Sequence, residues 1–124
     1  MTHLLAVALG GALGALGRYG VNGLIFPLVG ERFPLGTLVV NVLGSVLMGI
    51  CYVLIIEKAI LPLEMRNILM VGFLGAFTTF STFSLDTLAL WQNGQLLLAL
   101  AYVFASLVLC ILGMAVAVFF TRLI

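Results

Sequence analysis

Long apolar runs alternate with short polar breaks along this 124-residue chain. The breaks contain charged residues or a turn of polar amides, and they lie at residues 31–32, 57–66 and 92–95. The apolar segments that remain lie at about 4–28, 35–56, 66–91 and 96–121. Each is close to or above the roughly 20 residues that a helix needs to cross a bilayer. The pattern predicts one domain, residues 1–124, built from four transmembrane helices.

Composition supports a membrane location. The chain is 65% hydrophobic and only 7% charged, and its mean hydropathy is +1.38. A soluble domain of this size with such a surface would aggregate. We therefore expect an all-α, multi-pass membrane protein with the lipid bilayer as its surroundings. Nucleic acid is not an expected partner.

The stretch GFLGAFTTFSTFS at residues 72–84 does not fit a plain membrane-spanning helix. It combines two glycines and four phenylalanines with five hydroxyl side chains. We expect the third helix to break around Gly75, and we expect Gly75 to adopt a backbone conformation that other residues resist. A broken helix in a bilayer leaves carbonyls that need a partner other than water. The stretch therefore suggests a bound cation or a polar cavity.

The distribution of cations predicts no strong orientation in the membrane. One side would hold Lys58, Arg66 and Arg122, and the other would hold Arg18 and Arg32. Because Lys and Arg in short loops decide which side faces the cytoplasm, three against two is almost no bias. Dual topology follows as a hypothesis. Its natural product is an antiparallel homodimer, in which two short chains could enclose a pathway between them.

Neutral polar residues recur every four positions in two of the predicted helices, which places each set on one helical face. They are Thr37, Asn41 and Ser45 in the second span, and Tyr102, Ser106 and Cys110 in the fourth. Either row could simply join helices by hydrogen bonds. Together with the hydroxyls of residues 72–84, they also suit a pathway for a small ion that must bind and then leave.

Two features of the first span have more than one reading. Gly10 and Gly14 have the spacing that lets two helix backbones approach closely, so they indicate a packing face. Arg18 is costly to bury in lipid. Its side chain could reach the membrane interface, or it could gather anions at a vestibule.

Four motifs together resemble the Fluc (CrcB) family of fluoride channels along the whole chain. They are GGALGALGRY, GTLVVNVLGS, GFLGAFTTFSTFS and AYVFAS, one from each predicted span. The resemblance implies a fluoride-selective passive channel that exports fluoride from the cytoplasm and lowers its toxicity. It also implies a dual-topology antiparallel homodimer with two pores, located in the cell membrane, here the inner membrane of a bacterium.

The resemblance also implies roles for particular residues. Backbone carbonyls of Gly75 and Thr78 would hold a structural sodium ion at the dimer centre, which would not be transported. The fluoride pathway would be formed by an aromatic pair and neutral donors, namely Phe80, Phe83, Asn41, Ser81, Thr82, Tyr102 and Ser106. Phenyl rings have a positive edge that can face an anion.

Other classes of protein remain open at this point. A small dual-topology exporter of organic cations needs a membrane-embedded carboxylate. The only acid inside a predicted span is Asp86, and its position favours a bond to the second half of a broken helix. A non-transporting membrane assembly subunit would need only the glycine faces and hydroxyl contacts. An enzyme is not expected, because no nucleophile with an adjacent acid and no metal-ligand spacing is present.

Overall fold

All regular structure in the computed structural model, which describes residues 1–124, is helical. The α-helices are α1 Thr2–Val29, α2 Leu35–Cys51, α3 Gly75–Phe77, α4 Phe80–Gln92 and α5 Leu96–Arg122. Two π-helical segments extend them, Tyr52–Glu57 after α2 and Arg66–Leu74 before α3. We number as spans 1 to 4 the helices that are long and apolar enough to cross a membrane, Thr2–Val29, Leu35–Glu57, Arg66–Gln92 and Leu96–Arg122. The predicted all-α fold with four apolar spans is confirmed.

Most of the chain's apolar side chains face outward. Only 19 of the 124 residues are buried, and large residues such as Leu24 and Leu97 are 75% and 84% exposed. Water would disfavour such a surface, whereas hydrocarbon tails match it. This is the outer surface of a multi-pass membrane protein.

The spans pack in two pairs. Span 1 lies along the first half of span 3, while α2 and α4 both lie against α5. A buried cluster joins spans 2, 3 and 4, and it consists of Leu38, Leu90, Ala99 and Tyr102. The two halves of span 3 therefore have different neighbours, α1 for the first half and α5 for the second.

The contact between spans 1 and 3 depends on glycines, which have no side chain. A Cβ atom on Gly10 would overlap the carbonyl oxygen of Ile68, and one on Gly14 would overlap that of Phe73. Only glycine allows the two helix backbones to approach this closely. Gly10 and Gly14 thus form the packing face that their spacing indicated.

Two residues of span 3 leave the helical conformation. Thr78 has φ −82° and ψ 158°, and Thr79 has φ −151° and ψ 116°, both extended. Gly75 has ordinary helical angles, φ −60° and ψ −36°, and an added Cβ would meet only the Met70 carbonyl at 3.6 Å. The expectation that Gly75 adopts a conformation other residues resist is therefore wrong. The extended backbone lies three residues later, on β-branched threonines that favour it.

Charged groups join the ends of spans 2 and 4. The Arg122 Nε donates to Glu57 Oε2 at 2.9 Å, and the Lys58 Nζ donates to the Arg122 carbonyl at 2.9 Å. These exposed groups contribute little to stability. They do place the connection at residues 58–65 and the end of α5 on the same side of the helices.

Candidate functional site

A cavity of about 310 Å³ lies among spans 2, 3 and 4, and we call it the central groove. Its lining is Asn41, Gly44, Ser45 and Met48 from α2; Thr78, Thr79, Phe80 and Phe83 from span 3; and Ser106, Leu107, Cys110, Ile111 and Met114 from α5. The polar side chains among them are one amide, four hydroxyls and one thiol. The groove is therefore polar in places but has no charged side chain.

Asn41 and Thr79 form a pair of hydrogen bonds across the groove wall. The Thr79 N–H donates to Asn41 Oδ1 at 2.8 Å, and Asn41 Nδ2 donates to the Thr79 carbonyl at 3.0 Å. In a continuous helix the Thr79 N–H would donate to the carbonyl four residues earlier, that of Gly75. The Gly75 carbonyl therefore loses its helical donor.

The Thr79 side chain begins the second half of span 3. Its Oγ1 accepts a hydrogen bond from the Thr82 N–H at 3.2 Å, which makes Thr79 the N-cap of α4. A continuous helix would direct that N–H to the Thr78 carbonyl instead. Thr79 Oγ1 also donates to Thr82 Oγ1 at 3.1 Å and lies 3.3 Å from Ser81 Oγ. The Thr78 carbonyl thus also loses its helical donor.

Gly44 makes room for this extended segment. A Cβ atom on Gly44 would overlap the methyl group of Thr78, so any larger residue would force the Thr78 side chain or its backbone to shift. Gly44 lies on α2 three residues beyond Asn41, and residues at that spacing share a helical face. One face of α2 therefore supplies both the amide that bonds Thr79 and the space that Thr78 occupies.

Aromatic rings form the wall of the groove next to Thr79. The rings of Phe80 and Phe83 have centroids 5.4 Å apart and planes tilted by 47°, and Phe83 lies 5.2 Å from the Tyr102 ring. Tyr102 is fully buried behind Phe83 and does not line the groove. Its hydroxyl donates to Asp86 Oδ2 at 3.1 Å, so the one acid away from the ends of the spans accepts a hydrogen bond within the bundle.

The Ser106 hydroxyl has no hydrogen-bond partner. It is the only buried side-chain oxygen or nitrogen in the chain without one, and Ser106 is only 6% exposed. Leaving a buried hydroxyl unpaired costs about 1–3 kcal/mol. Because Ser106 lines the central groove, this free donor marks a place where a polar ligand would be stabilised.

The structure brings some of the predicted site residues together and leaves others apart. Those that line the central groove are Asn41, Thr78, Phe80, Phe83 and Ser106. Those that do not are Arg18, Gly75, Ser81, Thr82 and Tyr102. The hydroxyls of Ser81 and Thr82 lie within hydrogen-bond distance of the Thr79 hydroxyl. Arg18 is half-buried on α1 and its side chain makes no hydrogen bond, so its suggested role in gathering anions stays a prediction.

Sequence reasoning did not assign several groove residues to the site. Periodicity placed Ser45 and Cys110 in the four-residue rows of Asn41 and Ser106, but neither was given a role of its own in the pathway. Thr79 gave no such signal, because its hydrogen-bond partner Asn41 is 38 residues away. Gly44 likewise has its close neighbour in another span.

The fold and the groove together define a polytopic helical membrane protein with a neutral polar site inside its spans. The chain belongs to the family described as CrcB-like protein, Camphor Resistance (CrcB), whose model matches residues 5–118.

Curated relatives are similar to the chain over nearly all of its length. A protein of Saccharophagus degradans named fluoride-specific ion channel FluC is 56% identical over 118 residues, 95% of this chain and 88% of that protein. Proteins with the same name are 50% identical in Hahella chejuensis, covering 98% and 96% of the two chains, and 46% identical in Magnetococcus marinus, covering 95% and 96%. The family resemblance noted in the sequence is confirmed.

Proposed function

We propose that the protein is a fluoride-selective channel, which lets fluoride leave the cytoplasm down its own gradient and so lowers its toxicity. The observation that carries this proposal is the buried, unpaired Ser106 hydroxyl in a groove without charged side chains. The names of its relatives, fluoride-specific ion channels, support the same function. Within the proposal, the protein works in the cell membrane.

The groove's donors suit a small anion. Fluoride holds its water tightly, so a pathway has to replace that water with several donors. Ser106 offers its free O–H, and Asn41 keeps a second amide N–H, because only one of the two is bonded to Thr79. Phe80 and Phe83 can add positive ring edges. None of these groups binds as tightly as a fixed cation would, so the ion can leave again.

Exposure of the groove supports a dimer. Phe80 is 75% exposed in the single chain although it lines the groove. A second copy could cover this side and close the pathway. With cations distributed three to two between the membrane faces, the copies would insert in opposite orientations. The assembly would be an antiparallel homodimer with two pores and with a break in the third span of each subunit at Thr78 and Thr79.

The backbone near Gly75 fits a structural cation. Asn41 and Thr79 take the donors that would have bonded the Gly75 and Thr78 carbonyls. Those carbonyls from two subunits would hold a sodium ion, since hard neutral oxygens without a carboxylate leave a divalent charge uncompensated. Its positive charge would offset the field of the freed carbonyls.

Fluoride release from liposomes tests the proposed function. Purified protein in vesicles loaded with potassium fluoride should release fluoride within seconds of adding valinomycin, as read by a fluoride electrode. Vesicles loaded with chloride and read by a chloride electrode should release at least about 100-fold more slowly, a difference of about 2.7 kcal/mol in barrier height. Protein-free vesicles are the control. Equal release of both halides, or release no faster than from protein-free vesicles, would refute the proposal.

We expect both orientations in one cell population. A C-terminal reporter pair, one active only in the cytoplasm and one only in the periplasm, should give signal from both, because three cations against two set almost no bias. Adding two lysines to the connection at residues 58–65 should shift the population to one orientation. If more than about nine-tenths of the unaltered molecules share one orientation, dual topology is wrong.

Removing sodium should weaken the dimer and stop fluoride release. Replacement of all sodium by N-methylglucamine, which is too large for a site of backbone carbonyls, is the test condition. Thr78→Ser keeps the carbonyl and should keep the sodium response. Dimer stability is read by crosslinking yield in detergent and release by the electrode. Indifference of both measurements to sodium would rule out the structural ion.

A further inference from the structure

We infer that Asn41 is a positioning residue, whose side-chain amide keeps Thr78 and Thr79 extended and thereby keeps the Gly75 carbonyl free of its helical donor. The link from this geometry to ion binding rests on the proposed function. Asn41 would then act on fluoride passage mainly through Thr79, rather than only as one donor along the groove.

The hydrogen-bond pair favours an extended backbone at Thr79 over a continuous helix. Asn41 bonds both the N–H and the carbonyl of one residue, at 2.8 and 3.0 Å. Thr79 is only 8% exposed, so bulk water has little access to either bond. Without the amide, closing the helix would offer the Thr79 N–H the Gly75 carbonyl as its partner. The amide therefore competes directly with helix closure.

Two further contacts favour the extended state. The gap at Gly44 accepts the Thr78 methyl group, and the Thr79 hydroxyl caps α4 through the Thr82 N–H. A continuous helix would give up the cap and move Thr78 out of the gap. Asn41 and Gly44 thus act together on neighbouring residues of span 3, one by bonding and one by shape.

The test compares Asn41→Leu, which keeps the bulk and removes both bonds, with Ser45→Ala. Ser45 lies one turn further along α2, lines the same groove and makes no side-chain hydrogen bond to span 3. Gly44→Ala disturbs the same segment without touching the amide. The readouts are hydrogen exchange of a peptide containing Thr79 and the sodium concentration that gives half-maximal thermal stabilisation of the dimer. Neither measurement uses fluoride.

We expect Asn41→Leu to change the exchange rate of the Thr79 peptide and to raise the half-maximal sodium concentration about tenfold, the effect of losing two ordinary hydrogen bonds. Gly44→Ala should also raise the half-maximal sodium concentration. Ser45→Ala should stay within about twofold of the parent. If Asn41→Leu fails to fold, Gly44→Ala and an Asn41→Ser variant provide the comparison.

The outcomes separate this inference from the proposed function. Unchanged exchange and an unchanged sodium midpoint in Asn41→Leu, together with reduced fluoride release, would overturn the inference and make Asn41 a direct donor to the ion. If the parent protein showed no sodium response or no fluoride release, the corresponding proposal would fail. Exchange at Thr79 would still decide whether Asn41 holds the segment extended.

Discussion

Replacing Phe80 or Phe83 by isoleucine should abolish fluoride release or reduce it at least tenfold while leaving the dimer intact. Isoleucine keeps most of the bulk but has no ring edge to face an anion. Loss of about 1.4 kcal/mol of stabilisation at one point of the pathway already slows passage tenfold. Both rings line the central groove and lie 5.4 Å apart, so either substitution also changes the surroundings of the remaining ring.

A matched control is available on α5. Phe104 is 67% exposed and does not line the groove, so Phe104→Ile should release fluoride at the parent rate. Electrode measurements on equal amounts of reconstituted dimer give the comparison, and crosslinking yield verifies assembly. Parent rates in both Phe80→Ile and Phe83→Ile would show that the rings serve packing alone.

Gly14→Ala is expected to have the largest effect on stability. The new methyl group would overlap the Phe73 carbonyl, a backbone atom that no side-chain rotation can move. Span 1 would have to separate from span 3 along much of its length. Overpacking of this kind typically costs about 1–3 kcal/mol, and more when backbones must shift. The folded fraction in a thermal scan in detergent should fall sharply.

Gly20→Ala is the comparison for Gly14→Ala on the same helix. Nothing lies within 4 Å of the position that its Cβ would occupy, and alanine favours a helix by about 1 kcal/mol over glycine. Its melting temperature should equal or exceed that of the parent. If Gly14→Ala melted like Gly20→Ala, the close contact between spans 1 and 3 would not exist in the folded protein.

The four spans could be predicted because each depends only on the local run of apolar residues. The location of the extended backbone could not be predicted from local sequence. We predicted the break at Gly75 because glycine permits unusual backbone angles. Gly75 instead has ordinary helical angles, which any residue can adopt. The extended residues are Thr78 and Thr79, and what holds Thr79 is an amide 38 residues away. Helix periodicity does not show which residue of another span such an amide bonds.

The site was predictable to the extent that it follows helix periodicity. Asn41 and Ser106 each belong to a row with a four-residue period, and both line the groove. Tyr102 belongs to the same row as Ser106, but it lies behind Phe83 and bonds Asp86. Whether a residue lines the groove or lies behind the Phe83 ring depends on how the spans pack together. Ser81 and Thr82 were assigned to the pathway by the family resemblance, and their hydroxyls contact Thr79.

The lining of the central groove also has a consequence for energy coupling. It contains no Asp, Glu, His, Lys or Arg, and its one thiol is that of Cys110. A transporter that works against a gradient by exchanging protons needs a group in its pathway that binds and releases them. The groove has no carboxylate or imidazole for that purpose. Acidification on one side of the membrane would therefore supply no driving force here, and the direction of net movement would be set by the difference in electrochemical potential of the permeating ion alone.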